Sequence, residues 1–232
     1  MNNGYSLSQN HLIGGDSLMN YSVYQGSHRT TNQSETGFLL NYANFDQQED
    51  TYLNLYTGFN QEASSFLRNQ TSGALGSTES NTYHTGFSYE DKIAKDFYFG
   101  SNFNIGYTET STSPNSLLSS IDPLITSQYV LGFVEKNILN SKDLLSLNFS
   151  QPLSIEQGKA LVKIPYYDNL SSNGYTEKEI DMSVSERINH LNLDYIYSFQ
   201  KDNQIHLGIT SGINDYSNFS NHSLLANYKL LF

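Results

Sequence analysis

From Phe97 to Tyr107 the chain alternates strictly: Phe97, Phe99, Ser101, Phe103, Ile105 and Tyr107 fall on one parity, Tyr98, Gly100, Asn102, Asn104 and Gly106 on the other. Successive side chains of an extended strand point to opposite faces, so this stretch reads as a strand with an aromatic face and a small, polar one. The pattern recurs. Rows led by Met19–Val23, Phe38–Tyr42, Leu53–Phe59 and Tyr83–Tyr89 precede it. Rows Ile125–Phe133, Leu145–Phe149, Ala160–Tyr166, a weak Ile180–Val184, Leu191–Phe199, Ile205–Ile213 and Leu224–Phe232 follow. The segments between them are rich in Asn, Ser, Thr, Gln and Gly, the residues of turns.

Composition narrows the class. Only 37% of the 232 residues are hydrophobic and 15% charged, yet 13% are aromatic, with 18 Tyr and 13 Phe. Disordered chains are poor in aromatics and rich in charge, which excludes them here. A sheet that shows lipid one row and water the next needs this blend of apolar, aromatic and uncharged polar residues. A net charge of −11 argues against a nucleic-acid partner, and the lack of cysteine removes disulfides, thiolate chemistry and Cys-based zinc sites. No apolar run approaches the roughly 18 residues of a membrane-spanning helix.

The expected fold is therefore all-β: a single closed antiparallel transmembrane barrel of about twelve strands over residues 18–232, preceded by a leader or linker over 1–17. Short polar connections at 46–50, 92–95, 137–142 and 200–203 lie on one side by strand parity, and long ones at 60–81 and 109–124 on the other, as periplasmic turns and outer loops do. The connection from Tyr167 to Glu177 is longer than that parity allows. The start, Met1-Asn-Asn-Gly-Tyr, carries no basic or apolar signal region, so a barrel reading makes the chain the C-terminal part of a longer precursor.

Two stretches carry a family resemblance. The terminal row Leu224, Ala226, Tyr228, Leu230 and Phe232, ending in an aromatic, resembles the C-terminal assembly signal of bacterial outer-membrane barrels. Phe66-Leu-Arg-Asn-Gln-Thr-Ser-Gly-Ala-Leu-Gly76 and Ser150-Gln-Pro-Leu-Ser-Ile-Glu-Gln-Gly-Lys-Ala160 are similar to loops of the autotransporter β-domain, most like those with a subtilisin-like serine protease passenger. That resemblance implies a translocator in the outer membrane of a Gram-negative bacterium. Its partners would be outer-membrane lipid, the barrel-assembly machinery and an N-terminal passenger domain carried to the cell surface. It implies no cofactor and no enzyme activity in this chain, since the nucleophile loop and the Asp and His motifs of a subtilisin do not occur. The alternatives are an autonomous small channel for polar solutes, and a soluble β-sandwich binding module with carbohydrate as its expected ligand.

The polar parity of each row supplies the expected lumen: Asn102, Asn104, Asn148, Lys163, Asn192, Asp194, His206 and Lys229. His84, His190 and His206 fall on that parity too, and with Asp194 could assemble a His/Asp or Ser/His set. A water-facing interior calls for polar residues in any case, so these positions are read as lumen lining, with no catalytic or metal site.

Overall fold

The computed structural model describes residues 2–28, 34–66, 69–70, 78–114, 116–168, 172–184, 187–200, 203–214 and 221–229. The strands are β1 (Asn2–Leu12), β2 (Ser17–His28), β3 (Ser34–Asp46), β4 (Thr51–Ala63), β5 (Ser65–Phe66), β6 (Asn69–Gln70), β7 (Thr78–Ala94) and β8 (Phe97–Thr112). They continue as β9 (Leu118–Ile121), β10 (Leu124–Lys136), β11 (Leu144–Gln157), β12 (Lys159–Asp168), β13 (Ser172–Asp181), β14 (Ile188–Gln200), β15 (Asn203–Asn214) and β16 (Asn221–Lys229). No helix among the described residues is long and apolar enough to cross a membrane, which says nothing of strands.

Eleven strands form one antiparallel meander, β1-β2-β3-β4-β7-β8-β10-β11-β14-β15-β16. The all-β antiparallel architecture is what the alternation predicts. The composition of the sheet differs from the expectation in two places. Residues 1–17 hold β1, paired with β2 from Asn2↔His28 to Leu12↔Leu18, where a leader was expected. Its outer row, Tyr5, Leu7, Gln9 and His11, is half polar, so the alternation is lost in the sequence while the hydrogen-bonded ladder remains. The eighth row is β12, and of the ninth only Ile180 lies in a strand, β13, which ends at Asp181; both strands belong to a separate three-stranded sheet, β13-β12-β9. No turn separates β11 from β12. The chain runs on through Gly158, and β12–β13 is a hairpin extending the β11–β14 pair beyond the main sheet. That removes the anomaly at Tyr167 to Glu177, which is the far end of the hairpin on the long-loop side.

Following the meander, the connections at 13–16, 47–50, 95–96 and 137–143 and the Gln200↔Asn203 hairpin all fall at one rim. The joins from β4 to β7, from β8 to β10 and from β11 to β14 fall at the other. Local chemistry explains the short turns. Asp46 Oδ1 accepts from the Gln48 and Glu49 amides at 2.9 and 3.3 Å, and Asp50 and Asn137 take the positive φ that Asp and Asn tolerate. β1 and β16 are the two edges, with no pairing between them among the described residues. Both run from the long-loop rim to the short-turn rim.

The sheet curls on itself: Tyr24 of β2 and Leu153 of β11 line one cavity of about 260 Å³. The polar parity is on its concave side. Tyr24 lies across Gly37 and Tyr56 across Gly86, where an added Cβ would come within 2.3 and 2.5 Å of the ring, so these glycines make room for their cross-strand partners.

Candidate functional site: an apolar convex face and a polar concave one

Polarity is inverted relative to a water-soluble fold. Buried side chains are largely polar, Thr108 at 0%, Thr126 at 2% and Asn60 at 6% exposure, whereas Tyr83 is 51% and Leu207 49% exposed. Among the described residues the apolar core is Ile121, Leu124 and Ala160, with Leu118, Ile155 and Met182 against it, at the long-loop rim. Elsewhere the large apolar residues stand on the convex face. Neighbouring rings there meet across strands: Phe59 with Tyr83 at 5.1 Å, Phe99 with Phe133 at 5.4 Å and Tyr129 with Phe149 at 5.9 Å between centroids.

The outer row of β8 from Phe97 to Tyr107 spans about 34 Å along the strand, or about 26 Å of height at a tilt of about 40°, close to the apolar band of an outer-membrane barrel. Neither this row nor Tyr83–Tyr89, Ile125–Phe133, Leu191–Phe199 or Ile205–Ile213 contains a charged residue. Two hydroxyls inside the belt are satisfied by neighbouring carbonyls, Thr57 donating to His84 O at 3.1 Å and Thr85 to Tyr56 O at 3.0 Å. Unpaired, each would be costly in hydrocarbon. Charge returns at the belt's borders. Glu156, held by Ser127 at 2.6 Å and by Arg187, lies toward the long-loop rim; Asp50 pairs with Lys92 at the short-turn rim.

Most of the expected lumen residues fall on the concave face. Asn102 donates to Ser88 Oγ at 2.7 Å, and Asn104 lines the 260 Å³ cavity with a buried Oδ1 that has no partner among the described residues. Asn148 and Asn192 are directly paired across β11 and β14. Asp194 and His206 are brought together, Oδ1 to Nε2 at 2.8 Å, and His84 covers Gly58. Lys163 is the exception. It lies on β12 in the small sheet, reaching Ser116 O at 3.4 Å, because the row it belongs to is part of the extension. Lys229 is placed by register opposite Gln204, and its side chain lies outside the described residues. Of the terminal signal, Leu224, Ala226 and Tyr228 pair with Ile209, Leu207 and Ile205 in the outer row of β16; Leu230 and Phe232 lie outside the described residues.

No family model matches the chain, and no curated protein does. The geometry therefore carries the functional reading.

Two features escaped the residue pattern although their signals are present. Lys136 continues the polar parity of β10 past Phe133, the last aromatic of its row. Asp143 sits in a polar turn and reads as surface, yet it is only 2% exposed. Its carboxylate accepts the amides of Ile138 and Leu139 at 2.7 Å and of Asn140 at 3.2 Å, and the Tyr195 hydroxyl at 2.8 Å. Burial opposes its charge, but the bonds from Leu139, Tyr195, Asn140 and Ile138 outweigh that and hold the carboxyl below the usual carboxylate range. A lowered folded value means that the stabilisation is complete above the ordinary value of about 3.9 and is lost as pH falls through the lower, folded one. Thermal unfolding followed from pH 5 to pH 2 is expected to fall more steeply for the wild-type chain than for Asp143→Asn. Parallel curves would mean that Asp143 contributes no pH-linked stability.

Proposed function

We propose that this chain is the membrane-embedded barrel of an outer-membrane translocator, holding a passenger N-terminal to it and passing that passenger to the cell surface, with no active site of its own. The observation that carries the reading is the inverted polarity: a belt of about bilayer height, exposed and free of charge, around a buried polar face. In water such a belt is an aggregation hazard, whereas in lipid it is the stable arrangement. Segregation of short turns from long loops supports the same orientation, with the short-turn rim periplasmic. The translocator part of the reading rests on resemblance. Its most specific stretch has a physical rationale here. Pro152 falls at a bulge, where a strand tolerates a missing N–H, and Gly158 and Ala160 pack on Leu124.

Closure is part of the proposal. Edge groups left unpaired in hydrocarbon cost several kcal/mol each, so the sheet must close. Since β1 and β16 run the same way, one further strand running from the short-turn rim to the long-loop rim closes the barrel antiparallel throughout, at twelve strands.

The test is partition and gel mobility. The chain is expected to require detergent or lipid, to resist extraction from membranes by carbonate, and to migrate differently before and after boiling. A chain that is monodisperse without detergent would overturn the membrane reading and favour a sandwich. Placed behind a signal peptide and a reporter passenger, it is expected to expose the reporter to protease on intact cells. A heat-modifiable barrel that leaves the reporter inside would favour the autonomous channel.

A further inference from the structure

Lumenal glycines in the middle of this sheet are mostly covered. A Cβ at Gly37, Gly58, Gly86, Gly106 or Gly208 would strike a neighbouring side chain within 2.6 Å, so each glycine accommodates a partner. Gly100 is different: the nearest atom to its added Cβ is Glu90 Cγ at 3.8 Å. Directly across the ladder stands a second glycine, Gly132. An added Cβ on Gly132 would lie 2.3 Å from Asn148 Oδ1, so Asn148 covers that glycine, and the open bay lies over Gly100, part of a cavity of about 410 Å³.

The bay's walls carry opposite charges. Glu90 is the direct partner of Gly100 on β7 and lines the cavity from one side. Lys136 lines it from the short-turn side, its ammonium 4.0 Å from the centre of the Tyr98 ring. Among the described residues neither is in an ion pair, with the other or with any third group. Val130 and Val134 supply an apolar surface between them, and Asn148 an amide. A neutral solute would leave both charges unanswered, and an ion of either sign would answer one of them.

We propose that this bay binds a small zwitterion, an α-amino acid with an aliphatic side chain, whose ammonium meets Glu90, whose carboxylate meets Lys136 and whose side chain lies on Val130 and Val134. The proposal rests on the reading of the concave face as a water-filled lumen. It adds a solute site to a wall that the translocator reading treats as lining.

The experiment is titration of the detergent-refolded chain with L-leucine, beside leucinamide, which lacks the carboxylate, 4-methylpentanoate, which lacks the ammonium, and glucose. Saturable leucine binding is expected, with each singly charged analogue weaker by about tenfold or more, as for loss of one charge-assisted hydrogen bond. Glu90→Gln and Lys136→Met are each expected to weaken leucine by about tenfold to a hundredfold. Gly100→Leu is expected to abolish binding while keeping the heat-dependent shift in mobility, because its side chain enters open space. Binding of glucose in place of leucine, leucine affinity unmoved by both charge variants, or no binding by a chain that does show the mobility shift would each overturn the site alone. A chain without the mobility shift would overturn the lumen reading, and the site with it.

Discussion

Replacing Leu131 with Arg is expected to destabilise the bilayer-inserted chain by about 2–4 kcal/mol, the cost of a cationic side chain on the lipid face near the midplane of an outer-membrane barrel. Leu131 lies in the outer row of β10, between Ser101 of β8 and Phe149 of β11, and is 42% exposed. Its level on β8 is Ser101, midway between Phe97 and Tyr107, so the guanidinium has the longest path to either interface. The sign of the effect is the discriminating quantity. On a water-soluble sheet, exchanging an exposed leucine for a charge falls within about 0.5 kcal/mol of neutral and improves solubility. Urea unfolding in vesicles measures it, with Asn192→Arg as the lumenal control, expected to cost less than half as much because its face meets water. Equal costs at the two positions, or a neutral Leu131→Arg, would remove the lipid belt on which the functional reading stands.

That belt was legible in the residue order because its period is the period of a strand. The row Phe97–Tyr107 needs no tertiary information to be assigned two faces, and Tyr83–Tyr89, Ile125–Phe133 and Leu191–Phe199 repeat it. What alternation does not encode is the partner of a strand. Ala160, Val162, Ile164 and Tyr166 alternate as cleanly as Leu145, Leu147 and Phe149, yet one set belongs to β12 in the small sheet and the other to β11 in the large one. A signal was present: the apolar parity changes from odd to even between Phe149 and Ala160, with Pro152 and Gly158 in the interval. That is the mark of a bulged strand changing the face it buries, which reversal at a turn does not require. β1 was illegible for the opposite reason. Its outer row is diluted by Gln9 and His11, and its pairing with β2 is carried by backbone groups that any sequence possesses.

The change of face turns on Gly158, and Gly158→Ala is expected to release the extension while leaving the main sheet formed. Gly158 has φ +153°, in the region an L side chain rarely adopts, and its added Cβ would lie 2.0 Å from Leu124 Cδ2. A leucine terminus can usually swing aside, but Leu124 is fully buried, so the clash has nowhere to go. Backbone strain of about 1–3 kcal/mol and overpacking of about 1–3 kcal/mol together give a local cost of about 2–6 kcal/mol. The attachment of the extension is slight. Asp122 donates to Lys159 O at 2.8 Å, Lys163 to Leu117 O at 2.7 Å, Met182 to Gly158 O at 3.0 Å and Val184 to Ile155 O at 3.0 Å, beside the few side chains around Leu124. Hydrogen exchange should therefore accelerate at the Asp122, Lys163 and Met182 amides while β8 and β10 keep their protection below the rim. Leu124→Ala removes the clashing methyl but not the φ strain. The double variant Gly158→Ala with Leu124→Ala is accordingly expected to be less destabilised than the sum of the two singles, by the overpacking part alone. Strict additivity would mean that Leu124 does not seat against Gly158. Loss of protection throughout β8 and β10 would mean that the extension is part of the main sheet's own cooperative unit and not a separable cap on its rim.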